Sequence, residues 1–181
     1  MIFSDIVGII ADDLTGANDT ALQFHLRGAN TKILLDSECI PQDKADTEVW
    51  ALSSESRNVE DWEAVSRVEK AVRAFVENFS FDYYYKKIDS TIRGHIAKET
   101  LTMLQILGYD AAIIIPAFPQ EGRITVGGYH LLKGVPLGRT EMAMDPHSPI
   151  LESHVPTLLM SQLEDKQKNL IGTIDLKTVM N

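Results

Sequence analysis

Five short apolar runs, rich in β-branched and aromatic residues, are spread along the chain. Runs of this length that are bounded by polar residues predict buried strands. They occupy residues 6–10, 33–35, 49–52, 83–86 and 111–115. The last run is almost wholly apolar, so we expect it to be buried on both faces of a sheet.

Apolar residues recur at helical spacing between these runs and after them. The first helix is predicted to begin near Ala17, with Thr15 as its N-cap and Gly28 as its stop. Three further helices are predicted over residues 59–79, 92–107 and 156–168. Either Ser90 or Thr91 has the residue type of an N-cap for the helix over residues 92–107.

The order β, α, β, β, α, β, α, β favours an α/β fold. We expect a mostly parallel sheet with helices on both faces, in Rossmann-like layers. Residues 116–149 break the pattern, because they hold five of the seven prolines together with many apolar residues. We interpret them as a long Pro/Gly-rich insertion with a short hairpin over residues 123–135, which turns at Gly127 and Gly128. Residues 170–176 are predicted to form one more strand.

The charge and the cysteine count indicate which partners and which cellular compartment to expect. The 181 residues carry a formal net charge of −9, whereas nucleic acids and anionic membranes select basic surfaces. Residues 1–5 lack the basic start and the cleavage site of a signal peptide. Cys39 is the sole cysteine, so no disulfide framework is expected and a cytoplasmic protein is predicted.

The polar residues after the first apolar run carry a chemical signal. Asp12 and Asp13 lie between a predicted strand and a predicted helix. This position is the carboxyl end of a strand, where open α/β sheets bind ligands. Two adjacent carboxylates repel each other, so we expect a metal ion, a cationic side chain or a polyol ligand to compensate them. The alternative interpretation is that the pair only caps the helix.

Polar clusters also follow the later runs, at residues 53–57, 86–95 and 116–123. The carboxyl ends of parallel strands meet at one edge of a sheet. We therefore expect the first two of these clusters to line a single cleft together with the acidic pair. Hydroxyls, carboxylates and fixed cations in one cleft suit a polyhydroxylated acid.

The candidate residues divide by charge into two predicted roles. Three cations suit a substrate carboxylate or a transferred phosphoryl group, namely Arg57, Lys87 and Arg93. Three carboxylates suit sugar hydroxyls, and one of them would act as general base, namely Asp12, Asp13 or Asp89. The candidate substrate-binding residues are Asp12, Asp13, Asn18, Ser56, Arg57, Lys87, Asp89, Ser90 and Arg93.

These residue types also have plain structural explanations. Lys86 and Lys87 would then be a solvated strand end, and Arg57 a bridge between surface acids that contributes little. The histidines show no metal-ligand spacing, so no metal site is predicted. Neither a Gly-x-x-x-x-Gly-Lys-Ser/Thr run nor a Gly-x-Gly-x-x-Gly run occurs, so the sequence shows no recognised nucleotide cradle.

Taken together, the motifs resemble those of the four-carbon acid sugar kinase family. The resemblance begins with Ala-Asp-Asp-Leu-Thr-Gly-Ala-Asn-Asp at residues 11–19, and it continues with Ser-Glu-Ser-Arg at residues 54–57. Lys-Lys-Ile-Asp-Ser-Thr-Ile-Arg-Gly follows at residues 86–94. The later segments are residues 116–119, 122–123, 125–129, 134–137, 145–146 and 152–156. Because the segments run in order over nearly the whole chain, the resemblance is specific.

The resemblance implies ATP-dependent phosphorylation of a four-carbon sugar acid, such as threonate, erythronate or an oxo-tetronate. Family members are longer, and this chain resembles only their N-terminal substrate-binding domain. We expect residues 1–169 to form that domain and residues 170–181 to begin the missing C-terminal nucleotide-binding half. ATP and Mg²⁺ are expected for the complete enzyme, and this half alone is expected to hold neither and to be inactive.

Two alternatives stay open beside the kinase interpretation: a non-catalytic sugar-acid-binding module, and the remnant of a split or truncated gene. The sequence also leaves open whether the chain is a natural truncation, a split subunit or an expressed fragment. The expected partners are a four-carbon sugar acid and either the missing half or a second copy in a homodimer. The apolar residues of segments 116–151 and 170–176 favour such a partner, because exposed apolar patches mark interfaces.

Overall fold

A computed structural model describes residues 5–180. Residues 1–4 and 181 lie outside that description, and with them most of the N-terminal segment for which no signal peptide is predicted. The chain divides into two compact units. The first unit comprises Met1–Ile88 and Glu99–Ala112, and the second comprises Asp89–Lys98 and Ile113–Asn181.

The first unit is built on a four-stranded sheet in which all pairs are parallel. The strands are β1 (Val7–Ala11), β2 (Thr31–Leu34), β3 (Val49–Ser53) and β4 (Tyr83–Lys87). Their order in the sheet is β2-β3-β1-β4, so β1 lies between β3 and β4. Four of the five predicted strands are thereby confirmed, with ends that differ by at most two residues.

Three helices accompany this sheet, namely α1 (Leu14–His25), α2 (Asp61–Asn78) and α3 (Ile96–Leu107). Successive strand residues point to opposite faces. Ile9 packs with Ala17 and Ala21 of α1, whereas Ile10 packs with Phe75 of α2 and Met103 of α3. Helices therefore cover both faces of a parallel sheet, which confirms the predicted α/β fold class.

The predicted start of α1 is wrong by three residues. The helix begins at Leu14, and its N-cap is Asp13 rather than Thr15. Asp13 Oδ1 accepts a hydrogen bond from the backbone N–H of Gly16 at 2.7 Å. Asp and Thr are both favoured at an N-cap, so the local signal did not separate the two residues.

The predicted start of α3 is also wrong. Ile92 has a φ of 58°, in the left-handed region, and the helix begins only at Ile96. Ser90 and Thr91 therefore do not cap it. The Thr91 hydroxyl instead donates to Asp89 Oδ2 at 2.5 Å, so a carboxylate orders the loop that precedes the helix.

The fifth predicted strand is wrong as well. Residues 111–115 follow α3 without forming a strand. Ile113 and Ile115 are 78% and 74% exposed, although the apolar run predicts burial on both faces. The described part of the chain does not provide the cover that this run would need.

The second unit contains the predicted hairpin. Its strands β5 (Arg123–Val126) and β6 (Tyr129–Leu132) pair antiparallel, and a short β7 (Val135–Pro136) pairs with β6. Gly127 and Gly128 connect β5 to β6 with φ values of 56° and 84°. Positive φ at both positions is what a two-residue hairpin loop of type I′ requires, and glycine adopts it without steric cost. The hairpin and its turn are thereby confirmed.

The secondary structure after residue 154 differs from the prediction. The helix predicted over residues 156–168 is divided into α4 (Val155–Ser161) and a 3₁₀ helix (Asp165–Leu170). The strand predicted over residues 170–176 is absent, and α5 (Leu176–Met180) follows residues without regular structure. No helix within residues 5–180 combines the length and the apolar character needed to cross a membrane.

Candidate functional site

The carboxyl ends of β1 and β3 lie side by side, because the two strands pair in parallel register. The chain leaves β1 through α1, which covers one face of the sheet. It leaves β3 through α2, which covers the other face. Connections that diverge in this way create the crevice in which open α/β sheets bind ligands. The residues after Ala11 and Ser53 therefore occupy the position that favours a site.

Arg57 holds the two acids that follow β1. Its Nε and Nη2 donate to Asp12 Oδ2 and Oδ1, both at 2.8 Å, and its Nη1 donates to Asp13 Oδ2 at 2.5 Å. The Asp12 side chain is only 4% exposed, compared with 24% for Asp13. The sequence left open whether a metal ion, a cationic side chain or a polyol ligand compensates the two acids. In the structure a cationic side chain, that of Arg57, does so.

Backbone hydrogen bonds fix the strand ends that carry these residues. The carbonyl of Asp12 accepts from the N–H groups of Ser56 and Arg57 at 3.0 and 3.2 Å. The Ser54 hydroxyl donates to the Ala11 carbonyl at 2.8 Å. Ser56, one of the predicted binding residues, is fully buried, with its hydroxyl 2.8 Å from that of Ser54. This network makes the approach of Arg57 to the acids a consequence of the β1–β3 pairing.

The two lysines at the end of β4 have different environments. Lys86 forms an ion pair with Glu99 at 2.6 Å, and both side chains are largely buried, so Lys86 is not a solvated strand end. Lys87 Nζ donates to the Ile88 carbonyl at 2.7 Å. A Cβ atom at Gly16 would lie 3.2 Å from Lys87 Cγ and 2.7 Å from Asp13 Oδ1, so only glycine leaves room there for both side chains.

A second polar cluster lies in the second unit and centres on Arg93. Arg93 Nε and Nη2 donate to Asp89 Oδ2 and Oδ1 at 2.7 and 3.2 Å, and Nη1 donates to Asp145 Oδ2 at 2.9 Å. The hydrogen bonds to Asp89 raise the pKa of Arg93. Backbone N–H groups of Ser148 and His147, together with Arg93, lower the pKa of Asp145 to about 2. Arg93 and Asp145 are therefore both charged at neutral pH.

Asp145 and His130 are residues of this second cluster that the sequence analysis did not propose. Asp145 lies in one of the matched segments, and that was its only signal. His130 is fully buried, with Nε2 2.9 Å from the Ser90 carbonyl and Nδ1 2.9 Å from Thr125 Oγ1. A carbonyl only accepts, so Nε2 carries the proton and Nδ1 of the neutral ring accepts from Thr125. Burial lowers the pKa of His130, and the positive charge of Arg123 lowers it further.

The structure thus collects the predicted site residues into two groups. In the first unit, Asp12, Asp13 and Arg57 are in direct contact, while Ser56 and Lys87 lie at the same strand ends. Asn18 lies exposed on α1. In the second unit, Asp89 and Arg93 are in direct contact and the Ser90 carbonyl is held by His130. That both groups line one cleft stays a prediction. Within residues 5–180, no group of three or more His, Cys, Asp or Glu side chains is arranged to hold a metal ion.

A family model described as the sugar-binding N-terminal domain matches residues 7–181. The chain belongs to this family. Membership confirms the resemblance drawn from the sequence motifs.

Curated relatives carry kinase names. A D-erythronate kinase from Heliobacterium modesticaldum is 40% identical, over 96% of this chain and 39% of the relative. A D-threonate kinase from Salmonella typhimurium is 38% identical, over 86% of this chain and 36% of the relative. A 3-oxo-tetronate kinase from Brucella melitensis is 30% identical, over 93% of this chain and 39% of the relative. The chain thus spans well under half of the length of these relatives.

Solved structures show the same fold. A domain of unknown function from Bordetella bronchiseptica, with bound citrate and as a domain-swapped dimer, has a TM-score of 0.79 and 38% identity. The similarity covers 84% of this chain and 39% of that one. A Haemophilus influenzae protein has a TM-score of 0.77 and 28% identity, over 86% of this chain and 38% of that one.

Proposed function

We propose that this chain binds a four-carbon sugar acid as the substrate-binding part of an ATP-dependent kinase. The observation that carries the proposal is the Asp12–Asp13–Arg57 cluster at the crevice between β1 and β3, in a member of a sugar-binding family. Carboxylates at such a crevice accept hydrogen bonds from sugar hydroxyls. The names of the D-erythronate and D-threonate kinases supply the substrate class.

The proposed roles follow from exposure and contacts. Asp13 is the preferred general base, because its side chain is 24% exposed whereas those of Asp12 and Asp89 are 4% and 10% exposed. Arg57 and Arg93 hold the acids in place. The proposed substrate-binding residues remain Asp12, Asp13, Asn18, Ser56, Arg57, Lys87, Asp89, Ser90 and Arg93.

ATP and Mg²⁺ belong to the complete enzyme in this proposal, and the part of the relatives that this chain does not match would hold them. When bound, Mg²⁺ neutralises charge on the transferred phosphoryl group. The residues of this chain bind and orient the sugar acid and take up the hydroxyl proton. Residues 1–169 form the binding domain, residues 170–181 lead into the nucleotide-binding half, and the site of action is the cytoplasm.

A macromolecular partner is also proposed. Ile113, Ile115, Met144 and Leu151 are largely exposed apolar residues of the second unit. Exposed apolar surface of this kind marks interfaces. We expect it to meet either the nucleotide-binding half or a second copy of the chain, and the domain-swapped dimer of the Bordetella protein supports the second possibility.

The proposal is tested by titrating the chain with D-threonate, D-erythronate and glycerate and following binding by NMR. The two four-carbon acids should bind, the three-carbon acid should bind less tightly, and the chain alone should consume no ATP. Joined to the nucleotide-binding half, it should transfer phosphate. Binding without transfer by the joined protein would favour a non-catalytic sugar-acid-binding module, and absence of binding would overturn the proposal.

A further inference from the structure

The arginines at the two clusters face more negative than positive charge. Arg57 contacts two carboxylates, those of Asp12 and Asp13. Arg93 likewise contacts the carboxylates of Asp89 and Asp145. Both arginines are therefore already engaged by carboxylates of the chain. A ligand carboxylate would be held most readily by a cation whose N–H groups still lack acceptors.

Arg123 differs from these two arginines in its hydrogen bonding. It opens β5, where its backbone N–H and carbonyl pair with Phe118 at 3.1 and 2.8 Å. Within residues 5–180, only its Nη1 has acceptors, the carbonyl and the carboxylate of Glu121 at 3.2 and 3.3 Å. Among these residues its buried Nε has no hydrogen-bond partner, and its Nη2 has no acceptor either. A buried donor in this state calls for an acceptor from outside the described chain.

The surroundings of Arg123 connect it with the second cluster. Arg123 and Thr125 lie two residues apart on β5 and so point to the same face, and the Thr125 hydroxyl lies 2.9 Å from His130 Nδ1. His130 in turn holds the carbonyl of Ser90, the residue that follows Asp89. The Arg123 side chain is 24% exposed, so it is reachable from solvent although its Nε is covered. Arg123 is thus a cation beside the loop that carries Asp89, Ser90 and Arg93.

We propose that Arg123 binds the carboxylate of the sugar acid through its Nε and Nη2. These two N–H groups lie on one edge of the planar guanidinium, and their spacing matches the two oxygens of a carboxylate. A ligand carboxylate would also satisfy the buried Nε donor, which otherwise carries the cost of desolvation. This inference rests on the proposed function, which supplies the sugar acid. A phosphate oxyanion shares the same chemistry, and the experiment separates the two.

The test compares three variants of the 181-residue chain with the wild type. R123Q removes the charge, R123K keeps the charge but lacks the two-pronged edge, and R139Q removes the charge of an exposed arginine in the same unit. Each is titrated with D-threonate, with the uncharged polyol threitol and with inorganic phosphate. We expect R123Q to weaken D-threonate binding by roughly ten- to a hundredfold, the range for a charged hydrogen bond.

The pattern across ligands distinguishes the outcomes. The inference predicts that R123Q leaves threitol binding unchanged, that R123K loses most of the D-threonate affinity, and that R139Q matches the wild type. Equal D-threonate binding by R123Q and wild type would overturn this inference alone. Phosphate that binds through Arg123 without competing with D-threonate would assign the residue to a phosphoryl group and also overturn it. If the wild type binds no sugar acid, the proposed function fails as well.

Thermal unfolding without ligand serves as the folding control. R123Q and wild type should have similar midpoints, because the hydrogen bonds that the Arg123 side chain makes within residues 5–180 are long ones to the exposed Glu121. If R123Q does not fold, R123K decides the question, since it retains the charge and most of the side-chain volume. Wild-type D-threonate affinity in a folded R123K variant would then refute the bidentate contact.

Discussion

Replacing Arg57 by Met should destabilise the protein by about 3–5 kcal/mol, the cost of removing one partner of a buried ion pair. Methionine keeps much of the apolar stem but removes every N–H donor. Asp12 and Asp13 would then remain adjacent at the ends of β1 and β3 without their cation.

The magnitude follows from the contacts of the two acids. Arg57 makes three charged hydrogen bonds at 2.5 to 2.8 Å. One such bond contributes about 1.5–3 kcal/mol, but three bonds from a single group are not additive. Asp12 is almost completely buried and loses its partner for both oxygens, whereas the more exposed Asp13 can recover water. Asp12 therefore dominates the expected loss.

The assay is urea denaturation at pH 7, with R73M as the matched control. Among the described residues, Arg73 pairs only with Glu69 on the surface of α2, where both side chains are about half exposed. R73M should therefore cost no more than about 0.5 kcal/mol. Adding D12N to R57M should restore part of the loss, because it removes the uncompensated buried charge. Equal losses of unfolding free energy for R57M and R73M would refute the argument. If D12N does not reduce the loss caused by R57M, the loss comes from the packing of the arginine stem instead.

Three further predictions concern the core, a buried histidine and the proposed base. G8A should destabilise the protein by about 1–3 kcal/mol, because the added Cβ would lie 2.7 Å from Phe81 Cδ2; an unchanged urea midpoint would contradict this. Because the pKa of His130 is lowered by burial, the unfolded chain binds its proton first, so stability should fall as pH drops below 6.5. H130Q should lack this fall in pH-dependent denaturation, and an identical pH profile would exclude His130 as its source. D13N in the complete enzyme should lower kcat by about a hundred- to ten-thousandfold with little change in sugar-acid binding, and full turnover would eliminate Asp13 as the base.

The sheet and the hairpin were predictable because their signals are local. Short runs rich in β-branched and aromatic residues marked β1 to β4, and the adjacent Gly127 and Gly128 marked the turn between β5 and β6. Each of these elements also finds its partner strand within the described residues. Local pattern and available partner therefore agree, and the predictions are confirmed.

The fifth predicted strand had the same local signal and no such partner. Residues 111–115 are as apolar as β1, yet Ile113 and Ile115 are exposed. An apolar run predicts that a segment is buried, but it does not indicate which residues cover it. What covers a segment depends on the residues around it in the fold, so it could not be derived from the run itself.

The sequence predicted which residues belong to the candidate site, but not which of their side chains contact each other. The position after β1 indicated that Asp12 and Asp13 need compensation, and three kinds of group were open. Which one occurs depends on the pairing of β1 with β3, which brings Arg57 to residues more than forty positions earlier. Arg123 lies in a polar cluster and in a matched segment, but nothing in the sequence set it apart as a candidate. Its distinguishing property is a buried donor that has no acceptor among the described residues, and this depends on the folded structure.

The geometry also ranks the three acids among which the sequence could not choose. Both oxygens of Asp12 accept from Arg57, and the side chain is almost completely buried. Asp89 Oδ2 accepts from Thr91 and Arg93, in a side chain that is also largely buried. Asp13 accepts once on each oxygen, from Gly16 and from Arg57. A carboxylate offers about four lone-pair sites, so Asp13 retains acceptor capacity on a more exposed side chain. We therefore propose that Asp13, the residue that caps α1, is also the acid that meets a substrate hydroxyl.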